Sequence, residues 1–317
     1  MTILIRGFAL PALLALSLSL APAKARTPDA SSPQSLAEQK LADRPAGSRI
    51  GLLVTTMEGE TLVSITPDQR FIPASNTKMF TTAIGYAQLP LLERNAKGTG
   101  VRLEKDGGAT DVVLHGRGDP RLSSADDCVQ NCLQMLADAV ARTTLHVRHV
   151  IGDDSWLPDE RWSPGMSWNN IQSRYGTATS ALTLDDNELV VTLAPGVVGA
   201  AASLKSTGYY DIENRVVTVT GKEEAVVTDR MPNSRTLRLT GTIGAQAPVM
   251  TMRYGIDDPA HFAASRLREL LRARGVRVEG DIDVRRRPLT PADDPKARGT
   301  TPFVQPPEPT AMLAELK

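Results

Sequence analysis

Apolar and polar positions change their rhythm several times along the chain. Between Ile50 and Ile65, the runs Ile50-Gly51-Leu52-Leu53-Val54 and Thr61-Leu62-Val63-Ser64-Ile65 flank Met57-Glu58-Gly59-Glu60, which predicts a β-hairpin. Ala74, Met79, Phe80, Ala83, Ile84 and Ala87 then recur at helical spacing behind Pro73, predicting a helix entered from a loop and sunk into a core. After Leu89-Pro90 the segments shorten. Val101–Glu104 and Val112–Leu114 form a second hairpin across Asp106-Gly107-Gly108, a helix is expected near Ala125–Ala141, and strands over Val147–Ile151, Glu188–Leu193, Val216–Val219 and Thr236–Ile243. From Asp258-Pro259 the helical period returns in Phe262, Ala263, Leu267, Leu270 and Leu271 and stops at Gly275. Val276, Val278, Ile282 and Val284 then alternate with Arg277, Glu279, Asp283 and Arg285, a half-exposed strand interrupted at Gly280.

Candidate chemistry sits at the start of the first long helix, in Pro73-Ala74-Ser75-Asn76-Thr77-Lys78. Residues three apart share a helix face, so the Lys78 amine can reach the Ser75 hydroxyl. A lysine whose charge is disfavoured by burial can take the serine proton and leave a nucleophile. The bare triplet carries little, since a chain of this size holds one by chance about half the time. Its apolar setting carries more.

At 317 residues there is room for two domains with cores, and a formal net charge of zero gives no reason to invoke nucleic acid or an anionic membrane. Residues 1–25 read as a secretory signal: Arg6, the apolar run Phe8 to Leu20, and cleavage after Ala23-Lys24-Ala25. No later stretch is long and apolar enough for a membrane helix. In an oxidising compartment Cys128 and Cys132, expected one turn apart in a helix, are either a modest local staple or two small buried residues. His115, His146, His149 and His261 lack metal spacing, with His146 and His149 expected on opposite strand faces, so neither metal nor cofactor is expected.

The phrase PASNTK before an apolar helix resembles the active-site serine segment of penicillin-binding proteins and serine β-lactamases, and more narrowly the D-alanyl-D-alanine carboxypeptidase/endopeptidase family. Further likeness lies in Gly118-Asp119-Pro120-Arg121-Leu122-Ser123, in Asp153-Asp154-Ser155, Tyr175-Gly176, and in Ser180-Ala181-Leu182-Thr183-Leu184-Asp185-Asp186-Asn187. The resemblance implies an α/β (α+β) penicillin-binding protein/β-lactamase-like transpeptidase domain. That domain would be discontinuous, 26–89 plus 250–317, and interrupted by a β-rich inserted domain, 90–249. It also implies that Ser75 is the acylated nucleophile and Lys78 its proton acceptor, that peptidoglycan stem peptides and β-lactams are the ligands, and that the location is periplasmic.

Such enzymes also use an SxN and a KTG motif. Ser167-Trp168-Asn169 fits SxN only formally, in a Pro-, Gly- and Trp-rich loop, and Lys205-Ser206-Thr207-Gly208 is one residue too long for KTG and reads as a loop. Residues 305–317 resemble the helix that leads into SxN in the family, so the transpeptidase domain is expected to be incomplete here, with part of the apolar face of the Ser75 helix uncovered and hydrolysis by this chain slow or undetectable. Two other readings stand beside the enzyme: a non-catalytic peptidoglycan-binding module, and a serine β-lactamase-like hydrolase, against which the long insertion counts.

Overall fold

The computed structural model describes residues 32–93, 97–304 and 306–316. The expected signal segment lies outside them. Contacts divide the chain into two units, one up to Ala87 and one from Gln88 onward. The first holds α1 (Pro33–Leu41), β1 (Leu52–Thr55), β2 (Thr61–Ile65) and most of α2 (Thr77–Glu93), which crosses the division. β1 and β2 form the expected antiparallel hairpin, and α1 is the helix that packs on β2. α2 is not sunk into a core as expected: Met79, Phe80 and Ile84 are each more than 60% exposed. A lone two-stranded sheet that already carries another helix has too little apolar surface to cover it.

The second unit runs β3 (Gly100–Asp106), β4 (Ala109–His115), α3 (Leu133–Thr143), β5 (His146–Val147), β6 (Val150–Pro158), α4 (Trp168–Ile171), β7 (Glu188–Ala194) and β8 (Ser203–Ser206). It continues with β9 (Asp211–Val219), β10 (Glu224–Asp229), β11 (Thr236–Gly244), β12 (Met250–Gly255), α5 (Pro259–Ala273), β13 (Arg277–Val278), β14 (Ile282–Arg287), α6 (Pro295–Arg298) and β15 (Ala314–Glu315). Its main sheet has the order β14-β6-β4-β3-β15, with β14, β6 and β4 parallel and the β3 side antiparallel. Two three-stranded sheets, β12-β7-β8 and β10-β11-β9, and a short parallel pair, β13-β5, make up the rest of its β structure.

α3 and α5 pack on each other and on the main sheet. In α3 the buried positions Leu133, Leu136, Ala137 and Val140 follow the helical period, as do Phe262, Ala263, Leu267 and Leu271 in α5. Burial of each such leucine contributes roughly 1.5–3 kcal/mol. Asp258 caps α5 by accepting from the His261 amide at 3.2 Å. Gly152 of β6 lets α5 approach closely, because a Cβ there would lie 2.4 Å from the Ala260 carbonyl oxygen.

The sequence division at residues 249 and 250 has no counterpart in these contacts, since β12, α5, β13 and β14 all pair with or pack on elements between 88 and 249. Three local expectations also differ. The third helix begins at Leu133 rather than near Ala125, because backbone bonds between Ser123 and residues Asn131 and Leu133 hold the preceding segment as a loop. Lys205 lies in β8, paired with β7, and not in a loop. Within 306–316 there is no helix: Pro306, Pro307 and Pro309 lack the N–H groups a helix needs, and β15 is added to the edge of β3.

Candidate active site

Ser75 is the middle residue of a short 3₁₀ turn, Ala74–Asn76, that runs into α2. Ala74 takes the left-handed region, φ 45°, which an L side chain adopts only when its surroundings hold it there. The Asn76 amide donates to the Pro73 carbonyl at 2.9 Å, fixing the entry to the turn. One turn on, Lys78 Nζ donates to Ser75 Oγ at 3.2 Å. The two candidate residues therefore meet, as their spacing predicts. Both are exposed to solvent, so burial does not supply the lysine activation expected from the sequence. Ser167 and Asn169 bond to each other by their side chains, and they and Lys205 belong to the second unit.

A polar cluster on β6 carries the other family-like motifs. Asp154 accepts from the Ser180 hydroxyl at 2.7 Å and from the Ala181 amide at 2.6 Å, joining the Asp-Asp-Ser element to the Ser-Ala-Leu-Thr-Leu element. Burial raises its carboxyl pKa to about 6, with those two bonds opposing the shift. Its neighbour Asp153 goes the other way. Burial again pushes up, but His115, whose Nδ1 lies 3.3 Å away, and hydrogen bonds from Ser155 outweigh it and hold the carboxyl at about 2.

The remaining motifs meet as well. The Gly118 amide donates to the Ala181 carbonyl at 2.7 Å, and the Asp185 amide to Leu122 at 3.0 Å. Asp185 in turn accepts from the Ser123 hydroxyl at 3.1 Å and from the amide and hydroxyl of Ser124 at 2.8 and 2.5 Å. Segments read separately in the sequence are one interlocked substructure.

Sequence reasoning missed the buried pair Arg230–Asp257. Asp257 accepts two guanidinium bonds at 2.6 Å, and Arg230 lies 4.7 Å over the Tyr210 ring. Its sequence signal was weak, a lone charge beside a turn. His146 is exposed, whereas His149 faces Asp281 and Asp283. Among the described residues no group of three or more His, Cys, Asp or Glu side chains is arranged to hold a metal. Cys128 and Cys132 form a disulfide with Cα atoms 5.7 Å apart, in the loop before α3 rather than within a helix.

The chain is 33% identical over 250 residues to the D-alanyl-D-alanine carboxypeptidase of Actinomadura sp. (strain R39), covering 73% of this chain and 44% of that protein. Among solved structures it resembles penicillin binding protein 4 (dacB) from Haemophilus influenzae, with TM-score 0.59 at 16% identity over 80% of this chain and 57% of that one. The same protein complexed with a β-lactam gives TM-score 0.56 at 15% identity, covering 88% and 56%. The fold is accordingly the α/β fold of penicillin-binding proteins with a β-rich insertion. The chain spans about half the length of these relatives. Residues 34–297 match the D-Ala-D-Ala carboxypeptidase 3 (S13) family, and together with the identity to the Actinomadura enzyme this makes the chain a member of that family.

Proposed function

We propose that the protein is a serine-type D-Ala-D-Ala carboxypeptidase/endopeptidase of peptidoglycan, exported to the periplasm by a signal peptide over residues 1–25. The observation that carries this reading is the 3.2 Å contact between Lys78 Nζ and Ser75 Oγ at the head of α2, in a chain of the S13 family. Ser75 Oγ attacks the carbonyl of the D-Ala-D-Ala amide while Lys78 Nζ, the amine in contact with it, takes its proton. The C–N bond breaks, the departing amine is protonated, and the acyl group stays on Ser75 as an ester. Water then adds to the ester carbonyl, releasing the shortened peptide and restoring the hydroxyl. A β-lactam follows the first half of this path, its ring amide opening onto Ser75.

Mass spectrometry of the protein after incubation with a D-Ala-D-Ala peptide or benzylpenicillin tests the assignment. An adduct on the peptide containing Ser75 is expected, and Lys78→Ala should slow its formation by about 10²–10⁴. A second reading, a non-catalytic peptidoglycan-binding module, draws on the exposure of Ser75 and Lys78. Binding to sacculi without any adduct would favour it.

A further inference from the structure

The two interlocked motif segments do more than brace each other. Where they meet, they open a groove of about 800 Å³ within the second unit, a size typical of small-ligand sites. Its floor is apolar: Leu122 and Phe262 are almost fully buried, with Val190 beside them. Its rim is charged in two signs. Asp126 and Asp186 face the groove without a hydrogen bond or ion pair to any described residue, whereas Asp185 is consumed by Ser123 and Ser124. Of the three arginines, Arg121 is held in a fork by Asp119, whereas Arg253 uses one nitrogen on Glu188, itself on the rim, at 2.9 Å and Arg266 one on Glu269 at 2.6 Å. A guanidinium has five N–H donors in a fixed fork, so Arg253 and Arg266 each keep donors that match a carboxylate.

A polyanion would meet Asp126 and Asp186, and a purely cationic ligand would meet Arg253 and Arg266. A ligand with a free ammonium, a free carboxylate and an apolar stem between them satisfies the rim and the floor together. The position of the carboxylates is set by the backbone. Asp185, Asp186 and Asn187 are all left-handed, at φ 48°, 57° and 53°, a run that lifts Asp186 onto the rim while Asp185 stays tied to the serines.

We propose that this groove, built entirely within the second unit, is a binding site for a short zwitterionic peptide. Its link to wall peptides rests on the proposed function; the charge pattern does not.

The test is an NMR titration of the Ser75→Ala protein with the free tetrapeptide Ala-γ-Glu-Lys-Ala, so that no turnover is needed. A second titration uses the same peptide with its amines acetylated and carboxyls amidated. Saturable shifts at Leu122, Val190 and Thr207 are expected with the free peptide. Asp186→Asn, which keeps a residue tolerant of the left-handed region, and Arg266→Gln, at a half-buried position of α5, should each weaken binding by about three- to tenfold, and the capped peptide should bind more weakly still. No saturable shifts at these residues, equal binding of the capped peptide, or unchanged affinity in both variants would overturn the site. Because the readout is binding to a protein lacking the Ser75 hydroxyl, absence of an acyl adduct in the wild type leaves this result standing on its own.

Discussion

Asp153 and Asp154 are adjacent in β6 yet respond to acid in opposite senses. Asp154, raised to about 6, holds its proton more tightly in the folded state than in the unfolded chain. Between about pH 4 and 6 the folded protein thus binds more protons than the unfolded one, and stability falls as pH rises. Asp153, held at about 2, contributes stability that is complete above about pH 4 and lost as pH falls toward 2. Urea unfolding should accordingly show the second unit losing on the order of 2 kcal/mol between pH 4 and 6.5 through Asp154. Asp154→Asn keeps an acceptor for Ser180 and Ala181 and should flatten that slope; an unchanged slope would show that Asp154 is not its source. Asp257 offers a larger effect. Replacing it with alanine strands the fully buried Arg230 guanidinium, and the expected loss is about 3–5 kcal/mol in the same assay.

At the scale of elements, the legible parts were those whose period is set by a single buried face. The hairpin β1–β2, the hairpin β3–β4 and helix α5 were all readable because apolar residues repeat at two or at 3.6 and their turns carry glycine or an Asp-Pro start. Gly280 was visible as an interruption but its reason was not: a Cβ there would sit 2.5 Å from the His149 ring, a contact made across 131 residues of chain. The loop before α3 was hidden for a similar cause. Ser123, outside the segment Ala125–Cys132, bonds the Ala125 amide, the Asn131 carbonyl and the Leu133 amide and so holds the segment open. The candidate pair Ser75 and Lys78 was legible because i and i+3 geometry is local; its burial was not, since burial depends on what else covers α2. Close packing at Gly152 gives a direct check: Gly152→Ala must push α5 off β6, and an expected cost of about 1–3 kcal/mol should appear as a lowered urea midpoint. No change in midpoint would mean that α5 does not approach β6 this closely.

At the scale of the whole molecule, stability is concentrated in one unit. Among the described residues up to Ala87 only Val63 is a buried apolar side chain, whereas the second unit carries a continuous core from Val101 to Leu316. Hydrogen exchange should therefore be slow in β4, β6 and α5 and fast through β1, β2 and the start of α2. Comparable protection in both units would contradict this picture of the first one. The Ser75 helix presents Met79, Phe80 and Ile84 to solvent in a chain spanning about half the length of its relatives.

The measurement that bears most directly on the account is labelling with a fluorescent penicillin, followed by identification of the modified residue by mass spectrometry, in the wild type and in Ser75→Ala. The account expects a covalent label, slow to form, located on Ser75 and absent from the variant. No label after prolonged incubation, or a label that persists when the Ser75 hydroxyl is removed, would contradict it.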